Sequence, residues 1–189
     1  MGHLLVAGVA CMMRHCADTA AFERFWQPHR PRVWRLVARL AGSVDLADDL
    51  TQEVSLRAFQ GFGTFRNGAT GTTWLYRIAV NVVLRHRERL RPSFLPLDHA
   101  EAAALPAAPH AGPEASALRG ELQARVWAAL DRLPEDTRAA LILQVYEQLK
   151  YREIAEVLNI PLGTVKSRLH SGMARLREEL NDELSSRPH

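Results

Sequence analysis

The spacing of apolar residues restricts this chain to a helical fold. From about Asp18 to Leu184 the apolar side chains recur every three or four residues, and strand-like alternation is nearly absent. Five prolines interrupt the pattern at residues 92–113, where alanines fill most of the space between them. Such segments are semi-extended linkers. The sequence therefore predicts an all-α protein of two small helical domains joined by a Pro/Ala-rich linker.

The first residues are predicted to lie outside the folded part. Residues 1–18 include an apolar stretch from Leu4 to Met13 without a preceding basic segment, which favours a leader or a mis-called start codon. Cys11 and Cys16 are too close together for a disulfide framework, so a cytoplasmic protein with free thiols is expected. A redox or metal role for them with His15 lacks a second ligand cluster, and no cofactor or metal is predicted. No apolar run approaches the roughly 20 residues of a membrane-spanning helix, so no membrane insertion is expected.

Positive charge is concentrated in one part of the chain. Residues 1–92 carry 13 arginines against 7 acidic residues, whereas residues 114–189 carry 11 basic residues against 12 acidic ones. This excess indicates an anionic partner, nucleic acid or a lipid headgroup, or else a solvated basic surface. Charge alone leaves these interpretations open.

The first domain is predicted at residues 19–91, with three helices. Apolar spacing carries the first helix to Ala41. Pro28 and Pro31 fall inside it, and a proline removes a backbone donor and clashes with the preceding turn. The first helix is therefore expected to be kinked or to begin near Pro31.

The second and third helices flank a glycine-rich loop. Asp45 is predicted to cap the second helix, which should end before Gly61. Four glycines and an asparagine predict a loop at residues 60–73. Thr72 or Thr73 is expected to cap the third helix, which ends in an arginine-rich stretch.

The second helix carries a polar stripe opposite its apolar positions. No metal motif, phosphate loop or nucleophile accompanies this stripe, so it does not predict catalysis. A protein-docking face is the functional interpretation, and a solvated helix face is the alternative. The stripe consists of Asp48, Asp49, Gln52 and Glu53.

Aromatic and basic side chains alternate around the glycine-rich loop. Exposed aromatic rings can stack on unpaired bases while arginines neutralise phosphates, and such a loop could enclose an extruded base. The competing interpretation assigns the rings to the core. The residues concerned are Phe62, Phe65, Arg66, Trp74, Tyr76 and Arg77.

The second domain is predicted at residues 114–184, with four helices. Ser116 is expected to cap its first helix, and Pro134 separates that helix from the next. Residues 151–169 then read as a short helix, a turn and a longer helix, which is typical of a helix-turn-helix.

The turn of this motif has specific requirements. Asn159 is predicted to adopt the left-handed conformation that a tight turn needs. Thr164 is expected to cap the second helix, whose inner positions are Val165, Leu169 and Leu176. Polar and basic residues near its start favour a recognition helix in a DNA major groove over an ordinary helical hairpin. These residues are Lys166, Ser167, Arg168, His170 and Ser171.

The motifs in this order resemble bacterial sigma factors of the extracytoplasmic-function (ECF) type. Residues 48–54 are similar to the segment by which that family binds core RNA polymerase. Residues 65–81 resemble its region 2 segment for the promoter −10 element. Residues 130–134 and 151–169 resemble its region 4, which binds the −35 element.

The resemblance implies a role for each matching position. The residues that would dock on the clamp helices of the largest polymerase subunit are Asp48, Asp49, Gln52 and Glu53. Those implied at the −10 element, where a base is flipped, are Phe65, Arg66, Asn67, Trp74, Arg77, Asn81 and Arg85. Those implied at the −35 element are Arg152, Thr164, Lys166, Ser167, Arg168, His170 and Ser171.

Partners and alternatives follow from the same resemblance. It implies core RNA polymerase, promoter DNA and an inhibitory anti-sigma factor as partners, with no cofactor and no enzymatic activity. Gln148 and Asn159 replace frequent glycines of the family, and Arg85 stands where an aspartate is common. The main alternative is a stand-alone helix-turn-helix regulator that binds duplex operator DNA as a dimer. That reading leaves the acidic stripe and the aromatic loop unexplained, and a base-flipping enzyme would lack a catalytic constellation.

Overall fold

Seven helices make up the described part of the chain. The computed structural model describes the backbone of residues 2–65, 70–90 and 113–185, and the side chains of residues 18–65, 70–89, 120 and 122–181. The helices are α1 (Gly2–Ala41), α2 (Val44–Phe62), α3 (Gly71–Leu90), α4 (Pro113–Asp131), α5 (Glu135–Val145), α6 (Tyr151–Leu158) and α7 (Leu162–Ser185). The predicted all-α class, with three helices before the interruption and four after it, is confirmed. The linker predicted at residues 92–113 lies outside the described residues except for Pro113.

Helix α1 continues through its two prolines. Pro28 and Pro31 are exposed, while Trp26 on one side and Val33 on the other are buried in the core. Because side chains before and after the prolines pack into one core, burial offsets the lost backbone hydrogen bonds. The predicted start near Pro31 is therefore wrong. The backbone of α1 also includes residues 2–18, whose assignment to a leader stays a prediction.

The helix caps of the first module differ from those predicted. Ser43, not Asp45, precedes α2 with an extended backbone, and its hydroxyl accepts a hydrogen bond from the Leu46 amide at 3.4 Å. Asp45 instead lies in the first turn, where its negative charge interacts favourably with the positive end of the helix dipole. Thr70 caps α3, which is the role predicted for Thr72 or Thr73.

The hydroxyl of Thr70 accepts from the Thr73 amide at 3.2 Å, and α3 begins at the residue after Thr70. Helix α2 also runs past Gly61 to Phe62, so the predicted end before Gly61 is wrong. Tertiary packing of neighbouring side chains can offset the low helix propensity of a glycine. Phe62, the residue after Gly61, packs against the core.

The second module shows the same kind of shift at its helix starts. Helix α4 begins at Pro113 rather than after Ser116, and proline suits the first position because its missing N–H needs no partner there. Helix α7 begins at Leu162, so Thr164 lies in its first turn and does not cap it. The Pro161 carbonyl accepts from the Thr164 amide at 2.9 Å.

Two residues in this module have left-handed backbones. Asn159 has φ 52° and ψ 49°, which confirms the predicted tight turn between α6 and α7. Gln148 has φ 54° in the connection before α6. Both positions were expected to carry glycine in the family, and a left-handed backbone is the physical reason for that preference.

The two modules pack directly on each other. Helix α1 contacts α5, and α3 contacts α6. Buried apolar residues of both modules form one continuous cluster, from Phe22 and Val54 on one side to Ile142 and Leu169 on the other. The tertiary structure therefore joins what the sequence presents as separate domains.

Gly172 lies where α7 packs closely on α5. A Cβ at this position would lie 2.6 Å from Cγ2 of Thr137 and 3.0 Å from a methyl carbon of Leu141, whereas a Cβ at Gly163 would meet nothing within 4 Å. Gly172→Ala should lower the free energy of unfolding by about 1–3 kcal/mol, because an overpacked core must shift. Gly163→Ala is the matched control and should leave it unchanged or raise it by up to about 1 kcal/mol. Urea unfolding followed by circular dichroism measures both, and equal stability of the two variants would contradict this packing.

Candidate nucleic-acid and protein interfaces

The predicted polar stripe of α2 faces outward. Asp48, Asp49 and Gln52 are exposed, and Glu53 is half-buried. The Trp34 indole donates to Asp48 Oδ1 at 2.8 Å. This hydrogen bond fixes one end of the stripe on α1.

The other end of the stripe combines charge with apolar surface. Glu53 accepts from Arg57 one turn later, at 2.5 Å. Leu56 is 57% exposed and follows Gln52 by four residues, so it lies on the same helix face. Acidic groups beside an exposed leucine suit contact with another protein. Sequence analysis missed Leu56 because a leucine at helical spacing is ordinarily assigned to the core.

The aromatic residues around the loop pack against α1. The rings of Phe65 and Trp74 lie 4.8 Å apart, and Phe25 lies 5.7 Å from the first and 6.0 Å from the second. Both predicted rings are half-buried. They therefore form part of an aromatic cluster that supports the loop. Arg66 and Asn67, which were predicted to contact the −10 strand, lie outside the described residues.

Tyr76 is buried and hydrogen-bonded to the second module. It is 2% exposed, and its hydroxyl donates to Glu147 Oε2 at 2.5 Å. Burial, followed by the hydrogen bond and the negative charge of Glu147, raises the pKa of Tyr76 well above its ordinary value, against the influence of Arg32 and Arg35. The phenol therefore remains a protonated donor at neutral pH and is not available for base stacking in this structure.

The outer face of α3 carries three polar side chains in a row. Arg77, Asn81 and Arg85 are exposed, and their spacing of four residues places them along one side of the helix. This row continues from the loop towards the end of α3. Two guanidinium groups flanking an amide can bind phosphates on both sides of one hydrogen-bonded base.

The helix-turn-helix has the predicted buried face. Val165 and Leu169 are buried, and Leu176 packs against the core from a half-buried position. At about 100° per residue, Lys166 and His170 lie on one flank of α7. Arg168 and Ser171 lie on the opposite flank by the same geometry.

Most of the predicted −35 residues are accessible. Arg152, Lys166, Ser167, His170 and Ser171 are exposed, and Thr164 is half-buried in the first turn of α7. Arg168 is different, because its guanidinium pairs with Asp136 at 2.9 Å. That ion pair connects α7 to α5, so Arg168 holds the recognition helix in place within its module.

Apolar side chains adjoin the Lys166 flank. Val145, Tyr151 and Met173 are exposed and line a cleft of about 620 Å³ together with Lys166 and His170. Sequence analysis did not single out this cleft, because its residues come from three separate helical segments. It gives the flank that carries Lys166 and His170 an apolar border.

The described residues contain neither a metal-binding cluster nor a membrane-spanning helix. Among their side chains, no group of three or more His, Cys, Asp or Glu residues is placed to hold a metal ion. No helix in the same part of the chain has the length and apolar character needed to cross a bilayer. The side chains of Cys11, His15 and Cys16 lie outside the described residues.

The fold is all-helical, with a helix-turn-helix in one module, an arrangement typical of DNA-binding proteins, and an exposed polar helix face in the other. Comparison with known families makes this class more specific. The family models described as Sigma-70 region 2 and Sigma-70 region 4 match residues 25–92 and 123–176, respectively.

Individual relatives agree with these matches. The chain is 39% identical to the ECF RNA polymerase sigma factor SigE of Mycolicibacterium smegmatis over 87% of its own length and 63% of that protein's length. It is 32% identical to the ECF RNA polymerase sigma factor SigW of Bacillus subtilis, covering 87% of this chain and 91% of that protein. A solved complex of the sigma factor RpoE with the anti-sigma factor NepR from Bartonella quintana is similar with a TM-score of 0.65 and 26% identity. That match covers 85% of this chain and 97% of the other.

The chain belongs to the ECF family of RNA polymerase sigma factors. The predicted family is therefore confirmed. Membership makes the protein a transcription initiation factor and not an enzyme. It also decides against the stand-alone operator-binding regulator.

The aromatic cluster and the exposed row of α3 should differ in their contribution to stability. Trp74→Ala should lower the free energy of unfolding by about 3 kcal/mol, because it removes a half-buried indole that packs on Phe25 and Phe65. Arg77→Ala, three residues further along the same helix, should change it by less than about 0.5 kcal/mol. Thermal unfolding measures both. A Trp74→Ala protein as stable as the Arg77→Ala protein would show that the indole is not part of the core.

Proposed function

We propose that this sigma factor binds core RNA polymerase through α2 and directs it to promoters through α3 and α7. One observation carries the proposal: each module that matches a sigma region presents its own exposed polar helix face. RNA polymerase works in the cytoplasm of bacteria, so the protein is proposed to act there. An anti-sigma factor is proposed to control it.

Polymerase binding is assigned to the outer face of α2. Asp49 and Gln52 have no side-chain hydrogen bond or ion pair to other described residues, which leaves their polar atoms for a partner. Asp48 is held by Trp34, so its orientation is set before binding. Leu56 adds apolar area beside these groups. A partner face of basic residues around an apolar pocket complements this arrangement.

Recognition of the −10 element is assigned to the loop and to α3. The aromatic cluster packs at the described ends of the loop. Arg66 and Asn67 belong to the segment that would enclose a flipped base. Arg77 and Arg85, which are exposed, are proposed to bind the phosphates of the displaced strand. Single-stranded DNA bound in this way needs no catalytic group, only a favourable exchange of base stacking for protein contacts.

Recognition of the −35 element is assigned to the start of α7. Lys166, Ser167 and His170 are exposed within its first three turns, where a recognition helix meets base edges in the major groove. Arg152, exposed at the start of α6, is proposed to bind the flanking phosphate backbone.

Control by an anti-sigma factor is supported by the fold. The Bartonella sigma factor was solved in complex with the anti-sigma factor NepR, and its similarity extends over both modules of this chain. The exposed leucine of α2 and the apolar cleft beside Lys166 are surfaces that an inhibitor could cover in competition with polymerase or DNA.

The direct test of the proposal uses purified components. The full chain is mixed with bacterial core RNA polymerase and examined by size-exclusion chromatography and run-off transcription from the upstream region of its own gene. Co-elution with specific transcripts is expected. Absence of co-elution, together with tight duplex binding by the protein alone, would overturn the proposal.

Removal of acidic groups from α2 should weaken polymerase binding. Asp49→Ala and Glu53→Ala together should raise the dissociation constant for core polymerase about tenfold or more, since each interfacial charge contributes on the order of 1 kcal/mol or more. Glu23→Ala, an exposed acid on α1, is the control and should have no effect. Fluorescence anisotropy with labelled protein measures the affinity. Equal affinities for both variants would remove the stripe from the interface.

Substitution of the DNA-facing flank of α7 should reduce promoter selectivity. Lys166→Ala and His170→Ala together should lower initiation from a −35-dependent promoter about 30-fold or more, because base contacts in the major groove are each worth about 1–3 kcal/mol. Arg175→Ala is the basic control, since it lies on the opposite flank of the same helix. Abortive-initiation assays with intact and scrambled −35 elements measure the effect. Unchanged selectivity in the double variant would exclude these two residues from sequence readout.

A further inference from the structure

Arg168 of α7 is directed towards α5 and away from the flank that carries Lys166. It lies one turn before Gly172, where an added Cβ would meet Thr137 of α5 at 2.6 Å, so this side of α7 packs closely on α5. The Arg168 side chain is 26% exposed, and its Nη2 donates to Oδ2 of Asp136 at 2.9 Å. The guanidinium is therefore held at the first turn of α5.

The pair between Arg168 and Asp136 is one to one. Asp136 lies in the first turn of α5, and its side chain is 55% exposed. Among the side chains that the structure describes, Arg168 is the cation that pairs with Asp136, and Asp136 is the acid that pairs with Arg168. Loss of the carboxylate charge therefore leaves the guanidinium without its partner.

This pair changes the charge that the start of α7 presents to DNA. Lys166 and His170 are exposed on one flank of the helix, whereas Arg168 and Ser171 lie on the other. A guanidinium and a carboxylate in contact carry no net charge together, so a more distant phosphate is attracted only weakly to the Arg168 flank. Asp136 thus confines the free positive charge at the start of α7 to the Lys166 flank.

A recognition helix in the major groove has a phosphate backbone on each side. The groove of B-form DNA is about 12 Å wide, and an α-helix with its side chains is about 10–12 Å across. A free guanidinium on either flank is therefore within reach of a phosphate. Such a contact strengthens binding to any sequence, because phosphates carry no sequence information.

We propose that Asp136 is a positioning residue for promoter recognition, which holds Arg168 on α5 and keeps it off the DNA backbone. This inference deepens the proposed −35 function and rests on it. A specific complex fixes the position of α7 on the bases, whereas a non-specific complex can shift until a free arginine meets a phosphate. Loss of Asp136 therefore favours non-specific binding over the −35 element. The direct DNA contact that the family resemblance implied for Arg168 is replaced by this indirect role.

The test measures the salt dependence of DNA binding. Holoenzyme assembled from the full chain and core polymerase is titrated with short duplexes that carry an intact or a scrambled −35 element, at 50 to 200 mM salt. Asp136→Asn removes the charge and keeps the size of the side chain. On the scrambled duplex it should steepen the slope of log affinity against log salt by about 0.9, the effect of one phosphate contact. Its affinity relative to the parent protein should therefore be about threefold higher at 50 mM than at 200 mM salt.

Glu179→Gln is the matched control. It removes one negative charge from another ion pair of the second module, formed with Arg132, in which the side chains are 36% and 54% exposed. Glu179 lies about 16 Å further along α7 than Arg168 at 1.5 Å per residue, beyond the screening length of about 10 Å at 0.1 M salt. The control should therefore keep the parental slope. Equal slopes for Asp136→Asn and Glu179→Gln would overturn the proposal.

Substitutions of Arg168 identify the group that acts. Arg168→Gln alone should keep the parental slope, because the paired guanidinium makes no phosphate contact. Asp136→Asn combined with Arg168→Gln should restore that slope, and Asp136→Glu, which keeps the pair, should retain it. A merely structural role of Asp136 would not give this reversal. A shallower slope for Arg168→Gln alone would show that Arg168 contacts DNA in the parent protein and would overturn the proposal, even if Asp136→Asn does not fold.

Promoter selectivity separates this inference from the proposed function. The parent holoenzyme should bind the intact duplex more tightly than the scrambled one, and Asp136→Asn should lower that ratio about threefold at 50 mM salt. A parent that does not distinguish the duplexes would overturn the proposed −35 function, while the slopes on scrambled DNA still decide whether Asp136 withholds Arg168. An unchanged ratio in a variant with a steeper slope would overturn the role of Asp136 in selectivity.

Discussion

The ion pair between Arg138 and Asp131 is the interaction on which the rest of the structure depends. A guanidinium that is 2% exposed is tolerated only when its charge is matched. Asp131 at the end of α4 supplies the charge, and the Arg39 carbonyl of α1 accepts a further hydrogen bond. The same arginine thus links α5 to the end of α4 and contacts the first module. Arg87 adds a second positive charge to Asp131 from α3.

Burial of the apolar faces determines which helix faces remain for partners. In α2, the core takes Leu50, Val54 and Ala58, and this leaves Asp49 and Gln52 outside. In α7, Val165 and Leu169 turn inward and bring Lys166 and His170 to the surface. The helix face that is available to a partner is therefore the one that does not pack in the core. For that reason the residues predicted for polymerase and −35 contact are mostly accessible in the structure.

Helix existence was predictable here, and helix starts were not. Each missed cap lies within three residues of the true start, as with Ser43 against Asp45 and Leu162 against Thr164. Several polar residues near a helix start can act as caps, and the choice depends on which of them adopts an extended backbone. By contrast, Asn159 was predictable because few residues other than glycine tolerate its left-handed conformation.

The sequence by itself determined the all-helical class, the family, the helix-turn-helix and the polar faces of α2 and α7, because each follows from local periodicity or from a contiguous motif. Only the tertiary structure decided that Phe65 and Trp74 pack on Phe25, and that Tyr76 turns to Glu147. It alone also decided that the two modules meet through Arg39 and Glu147, which are 108 residues apart. Contacts at such separations leave no periodic trace in a single chain, because they arise when folded helices bring distant charges into one poorly solvated boundary.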